Sequence, residues 1–86
     1  MASYSILLAR SAAKELERVP TKDRQRIVTR IGMLAENPRP VGVEKLSGGD
    51  KYRIRQRDYR ILYEIVAEQL IVTVVRIGNR REVYRR

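Results

Sequence analysis

Three segments in the second half of the chain alternate apolar and polar residues, and only two or three residues separate one segment from the next. They run over about Lys51–Gln56, Tyr59–Val66 and Leu70–Ile77. Alternation with a period of two predicts β-strands that each turn one face towards a core. Parallel neighbours need a crossover of about a dozen residues, so these short connections predict an antiparallel meander.

The first half of the chain predicts one strand and two helices. Residues 4–8 alternate as a short strand. Apolar residues over 12–19 then recur at helical spacing, with Ser11 as the expected N-cap, and a second helix is expected from about Thr21 to Glu36. Residues 38–50, rich in glycine and proline, are expected to form a loop. The predicted fold is α+β with the order βααβββ, an antiparallel sheet with a two-helix hairpin packed on one face, in a single domain spanning 1–86.

The chain contains neither cysteine nor histidine. This excludes disulfides, thiolate zinc sites, a cysteine nucleophile and a histidine general base. No carboxylates cluster in the sequence, so we expect no metal and no cofactor. No apolar run approaches the ~20 residues that span a membrane, and the N-terminus lacks a secretory signal, so we expect a cytoplasmic protein.

Positive charge is concentrated in the predicted meander and the C-terminus. The net charge is +9, and residues 51–86 carry 10 basic and 4 acidic side chains. Such an excess predicts a polyanionic partner, either a nucleic acid or an acidic protein.

The strand alternation predicts where this charge lies. Arg53 and Arg55 point the same way on their strand, and Arg76 is expected on the same face as Val72 and Val74. Arginines facing each other across strands repel, and phosphates between them would relieve the repulsion. A solvated face or protection of a sheet edge is the alternative interpretation. The predicted open face presents Arg53, Arg55, Arg60 and Arg76 or Arg80, with Lys51 and Arg57 in phase at the strand ends.

Three further side chains are candidates for proton transfer. Tyr84 lies in the terminal REVYRR, where flanking guanidinium groups favour its phenolate form. It could relay a proton from a ribose 2′-hydroxyl or stack on a base, or it could simply anchor the C-terminus in the core. Glu64 and Glu82 are possible general bases, although isolated glutamates in charged segments are usually ion-pair partners.

Five short motifs follow one another along the chain: LSG at 46–48, YRIR at 52–55, YRILY at 59–63, IGNR at 77–80 and VY at 83–84. With these motifs the chain resembles, over nearly its whole length, the RelE/ParE toxin superfamily, and its RelE branch more closely. The resemblance implies a toxin of a type II toxin–antitoxin system that enters the ribosomal A site and cleaves mRNA without a metal. In that reaction the 2′-hydroxyl attacks the adjacent phosphate and gives a 2′,3′-cyclic phosphate.

The same resemblance implies roles for individual residues. Arg60 matches an arginine that stabilises the transition-state phosphate, and Arg80 matches a second phosphate-binding arginine. Tyr84 matches the tyrosine that orients or deprotonates the nucleophile. Arg53 and Arg55 stand where the best-known members have lysines. The expected catalytic set is Arg55, Arg60, Arg80 and Tyr84, and the expected RNA-binding set is Lys51, Arg53, Arg57, Arg76 and Arg81.

The expected partners are the ribosome, mRNA and a cognate RelB-type antitoxin with an acidic helical segment. A rival hypothesis is a ParE-like, non-catalytic toxin that inhibits DNA gyrase. The missing histidine and the arginines in place of lysines favour this rival, whereas the Arg80…Tyr84 pair opposes it. A third hypothesis is a nucleic-acid-binding protein without toxicity.

Overall fold

In the computed structural model, which describes residues 3–79, five strands form one mixed sheet and two helices pack on one of its faces. The strand order across the sheet is β1-β5-β4-β3-β2. Neither helix in the described part of the chain is long and apolar enough to cross a membrane. The elements are β1 (Ser5–Leu8), α1 (Arg10–Glu17), α2 (Thr21–Met33), β2 (Glu44–Lys45), β3 (Lys51–Gln56), β4 (Tyr59–Val66) and β5 (Ile71–Asn79), with a single 3₁₀ turn at Ala67–Gln69.

The core lies between the helices and one face of the meander. Alternate residues of β3, β4 and β5 point into it, because burying one face of a strand requires a period of two. Helix α1 contributes Ala12 and α2 contributes Ile27 and Ile31, while Val19 and Leu34 follow directly after the two helices. The predicted antiparallel meander is confirmed, and so is the predicted order of elements apart from the additional two-residue strand β2. Helix α2 ends at Met33 rather than near Glu36. From the strands, the core receives Tyr52, Ile54, Ile61, Tyr63, Ile65, Val72, Val74 and Ile77.

The first strand makes the sheet mixed. It pairs in parallel with β5, from Ser5 opposite Ile71 to Leu8 opposite Val74. The chain between these two strands runs through both helices and the other three strands, so it is far longer than the crossover that a parallel pair requires. The expected fully antiparallel sheet is therefore corrected at this one pairing.

Beyond the end of β1, side chains of helix α1 form hydrogen bonds with the exposed backbone edge of β5. The Ser11 hydroxyl donates to the Val75 carbonyl oxygen at 3.0 Å. One carboxylate oxygen of Glu15 accepts from the Ile77 backbone N–H at 2.7 Å. Ser11 is not the N-cap predicted from the sequence, because that position falls at Ala9 and the hydroxyl bonds β5 instead.

A β-bulge changes the phase of β5. Leu62 pairs with Arg76, whereas the next residue of β4, Tyr63, pairs with Val74, so Val75 is left as an extra residue. A bulge of this kind shifts the side-chain alternation by one. Arg76 therefore lies on the face opposite to Val74, and the expectation that it shares a face with Val72 and Val74 is wrong.

Two stacked tyrosines fasten the segment after α2 to the sheet. The rings of Tyr52 and Tyr63 lie with centroids 5.8 Å apart. The Tyr63 hydroxyl, in a side chain with no exposed surface, donates to the Pro38 carbonyl oxygen at 2.7 Å. The Arg39 Nε donates to the Tyr52 hydroxyl oxygen at 3.2 Å. These contacts fix the start of the chain that leads into β2.

The buried phenol of Tyr63 makes stability depend on pH at alkaline values. Burial raises the pKa of Tyr63 from 10.0 to about 12, so the folded state holds this proton more tightly than the unfolded state. The stabilisation is complete below pH 10 and is lost as the pH rises towards 12. The loss amounts to roughly 1.4 kcal/mol per pH unit.

We expect Tyr63→Phe to be less stable at neutral pH by about 1–3 kcal/mol, because the Pro38 carbonyl loses its buried donor. The difference between the two proteins should shrink over the alkaline range, since only the wild type has this group to ionise. Urea unfolding at a series of pH values measures it. A difference that stays constant with pH would contradict the assignment.

The edge contact of Glu15 predicts a second effect on stability. Glu15→Ala leaves the Ile77 N–H without its acceptor, and we expect a loss of about 1–3 kcal/mol. Glu17→Ala, in the same helix but exposed, is the matched control and should change the free energy of unfolding by less than about 0.5 kcal/mol. Equal effects of the two substitutions in urea unfolding would show that the edge contact contributes nothing.

Candidate nucleic-acid interface

Four arginines from three strands lie on the sheet face opposite the core, which we call the basic face: Arg53, Arg55, Arg60 and Arg76. They lie together because directly paired residues of neighbouring strands point to the same side. One row across the strands consists of Arg53, Leu62 and Arg76. The adjoining row consists of Arg55, Arg60 and Gly78.

The Arg60 side chain is buried within this face and is not exposed on its surface. Its side chain is only 2% exposed, which differs from the expectation that it is freely presented. Its neighbour on β5 is Gly78, which has no side chain. A guanidinium stays charged in a protein, so Arg60 supplies a fixed positive charge held in place by its surroundings.

Arg53 is paired with a carboxylate from the neighbouring strand. Glu44 of β2 lies directly opposite it, and the Arg53 Nε lies 2.8 Å from the carboxylate oxygen. This hydrogen bond lowers the pKa of Glu44, and the charges of Arg53, Arg55 and Arg60 lower it further. Glu44 is therefore ionised and lies within the field of the basic face.

Glu44 is not among the site residues predicted from the sequence, because residues 38–50 are expected from their composition to form a loop. The segment SGGD at 47–50 is instead a hairpin connection that pairs Lys45 with Tyr52 and Glu44 with Arg53. Glycines between two extended segments are a recognised hairpin signal. Extending the pairing outward from that turn would have placed Glu44 opposite Arg53.

Arg76 is paired from the opposite edge of the sheet. Its Nε donates to a Glu15 carboxylate oxygen at 2.9 Å, while the other oxygen of Glu15 holds the Ile77 N–H. The Arg76 side chain is still 59% exposed. Arg76 therefore remains accessible while one side of its guanidinium is held by α1.

The other basic residues predicted from the sequence lie along β3 and in the turn that follows it. Arg55 is exposed near the end of β3, beside Arg60. Arg57 lies in the β3–β4 turn, beyond the end of β3. Lys51 lies four residues before Arg55 on β3, roughly 13 Å away, and pairs with Glu64 at 3.9 Å. Glu64, a candidate base, thus belongs to an exposed ion pair at the far end of the face.

Four predicted residues fall outside the described part of the chain: Arg80, Arg81, Glu82 and Tyr84. The convergence of the arginines with Tyr84 therefore stays a prediction. β5 ends at Asn79, immediately before this segment, in the row next to Arg60 and Gly78. Within residues 3–79, no three acidic side chains cluster closely enough to hold a metal ion.

Comparison with known proteins agrees with this geometry. The E. coli K12 mRNA interferase toxin RelE is 30% identical over 87 residues, covering 95% of this chain and 90% of RelE. The fold matches the archaeal RelE–RelB complex from Pyrococcus horikoshii OT3 with a TM-score of 0.82 at 26% identity, covering 91% of this chain and 96% of that one. The RelB–RelE complex from Methanococcus jannaschii matches with a TM-score of 0.72 at 28% identity, covering 91% and 94%.

The family model for the ParE toxin of type II toxin–antitoxin systems, parDE, matches residues 6–84. This span contains the whole basic face and the segment that follows β5. The chain thus belongs to the ParE toxin family of type II toxin–antitoxin systems, within the RelE/ParE superfamily.

Proposed function

We propose that this toxin is an endoribonuclease that cleaves mRNA in the ribosomal A site and so inhibits translation. The observation that carries the proposal is the basic face, where three strands place four arginines in two adjacent rows. Phosphodiesters are the natural ligands of such a surface, because guanidinium groups bind phosphate oxygens in bidentate fashion. The 30% identity to a protein named as an mRNA interferase supports RNA as the substrate.

The proposed reaction is an internal transesterification of the RNA. The 2′-hydroxyl loses its proton, its oxygen bonds to the adjacent phosphorus, and the bond from phosphorus to the 5′-oxygen breaks. The leaving oxygen takes up a proton, so the products are a 2′,3′-cyclic phosphate and a 5′-hydroxyl. Charge develops on the phosphate oxygens, and fixed cations beside them lower the barrier.

The protein's own residues divide these tasks by their chemistry. Arg55 would contact the phosphorane and stabilise its charge, and Arg60, which is only 2% exposed, would add a fixed charge from within the face. A guanidinium supplies charge but does not exchange protons at neutral pH. Tyr84 is the proposed group that orients or deprotonates the 2′-hydroxyl, and Arg80 would hold a second phosphate oxygen. We propose that the step needs no metal, which a chelator tests directly.

The proposed regulator is a RelB-type antitoxin. The RelE proteins of P. horikoshii and M. jannaschii were solved in complex with RelB. An acidic helical segment would suit a chain of net charge +9 whose basic face lies open at Arg55. The same complementarity would keep the toxin from RNA until the antitoxin is removed.

Two substitutions test the cleavage proposal. We expect Arg55→Gln and Tyr84→Phe each to lower the cleavage rate by about 10²–10³-fold, because each removes a group that acts on the transition state. Primer extension on mRNA in a translation extract measures the cuts, with and without ribosomes and with a chelator present. Lys22→Gln removes an exposed charge from α2, away from the basic face, and should leave cleavage unchanged.

Circular dichroism should be the same for all variants, which separates lost chemistry from lost folding. Cleavage at the wild-type rate by both the Arg55→Gln and the Tyr84→Phe variant would overturn the proposed mechanism. Inhibition of cutting by a chelator under conditions that leave the ribosomes intact would overturn its metal independence.

Gyrase inhibition is the second candidate, because the matching family model is that of ParE toxins. A binding surface for another protein could use the same arginines without any chemistry. A supercoiling assay with purified protein distinguishes the two. Inhibition of gyrase in the absence of RNA cleavage would favour the rival.

A further inference from the structure

Glu44 places a carboxylate at the rim of a face that is otherwise cationic. It accepts a hydrogen bond from the Arg53 Nε at 2.8 Å, in the position where a phosphate oxygen would bind. The Glu44 side chain is 46% exposed and the Arg53 side chain 24% exposed. The ion pair is thus open to solvent, and an incoming anion can reach it.

The strand that carries Glu44, β2, is weakly attached to the sheet. β2 is only two residues long and pairs with β3 alone at the end of the sheet. Gly42 before it and Gly48 and Gly49 after it all adopt positive φ angles, at 91°, 88° and 125°. Short edge strands between such turns separate from the sheet at small cost.

We propose that Glu44 is a built-in phosphate surrogate that RNA must displace from Arg53. This inference rests on the proposed function, and it names a residue that sets the strength and selectivity of RNA binding at that same face. Before RNA binds, the carboxylate relieves the repulsion among the arginines. When RNA binds, a phosphate takes the place of the carboxylate, so one ion pair is exchanged for another.

This exchange lowers the net gain for any RNA whose phosphate reaches Arg53. A phosphate held only by Arg55 gains a new ion pair, whereas one that reaches Arg53 must first replace Glu44. A competing interaction of this kind improves specificity, because only a partner with enough other contacts can offset it. Glu44 would therefore favour RNA that a larger assembly holds in register over loose single strands.

Glu44→Gln tests the proposal, because glutamine keeps the shape and removes the charge. The assay is fluorescence anisotropy with a 2′-O-methyl RNA, which cannot be cleaved, over a series of salt concentrations. We expect affinity at 0.1 M salt to rise by about two- to fivefold. The salt slope should steepen by about 0.7, which corresponds to one more phosphate contact on a single strand.

Glu68→Gln is the matched control. Glu68 lies in the turn between β4 and β5, at the other end of the sheet, and its substitution changes the net charge equally. We expect it to change affinity by less than Glu44→Gln does. Equal effects of the two substitutions would overturn the proposal, because total charge alone would then explain the gain.

The dependence on Arg53 gives a second test. In an Arg53→Gln background, Glu44→Gln should give a much smaller gain, because no guanidinium remains to be released. A gain as large as in the wild-type background would mean that Glu44 acts elsewhere. Both measurements record binding and not cleavage.

Titration with inorganic tripolyphosphate separates this proposal from the proposed function. If Glu44→Gln tightens tripolyphosphate binding but neither protein cleaves mRNA, the surrogate role stands and the ribonuclease proposal fails. If mRNA is cleaved and Glu44→Gln changes neither RNA nor tripolyphosphate binding, the ribonuclease proposal stands and the surrogate role fails.

Discussion

The burial of one sheet face sets the register on which the rest of the molecule depends. Ile54, Ile61 and Val74 have no exposed surface, and a slip of one residue along any of these strands would bring arginines into the core. An unpaired guanidinium in an apolar core costs far more than a lost methyl contact. The apolar pattern therefore selects the fold and at the same time determines which way Arg53 and Arg55 point.

That coupling explains which features could be predicted from the sequence. The meander followed from alternation and short connections, and the core positions on β3 and β4 followed from the same period. Helix α2 was predicted because its apolar residues recur at helical spacing, and in the structure Pro20 occupies its N-cap. Such local patterns leave a clear trace in the order of residues.

Features that depend on contacts between distant segments could not be predicted from the order of residues. The bulge at Val75 is one extra residue in a mostly apolar segment, and its position is set by how β5 meets β4. The local pattern favours Ser11 as a helix cap. Its actual partner, Val75, lies 64 residues away and cannot be inferred from neighbouring residues. The burial of Arg60 likewise depends on what packs around it and not on its neighbours in sequence.

The bulge and the ion pairs together account for a cationic face that folds without a ligand. Without the extra residue, Arg76 would point into the core beside Val74, and the row through Arg53 and Leu62 would lack its third member. The two carboxylates that pair with this row come from outside the meander, Glu15 from α1 at one edge and Glu44 from β2 at the other. Exposed pairs like these contribute only about 0–1 kcal/mol each. They are therefore strong enough to offset repulsion between arginines and weak enough for a phosphate to replace them.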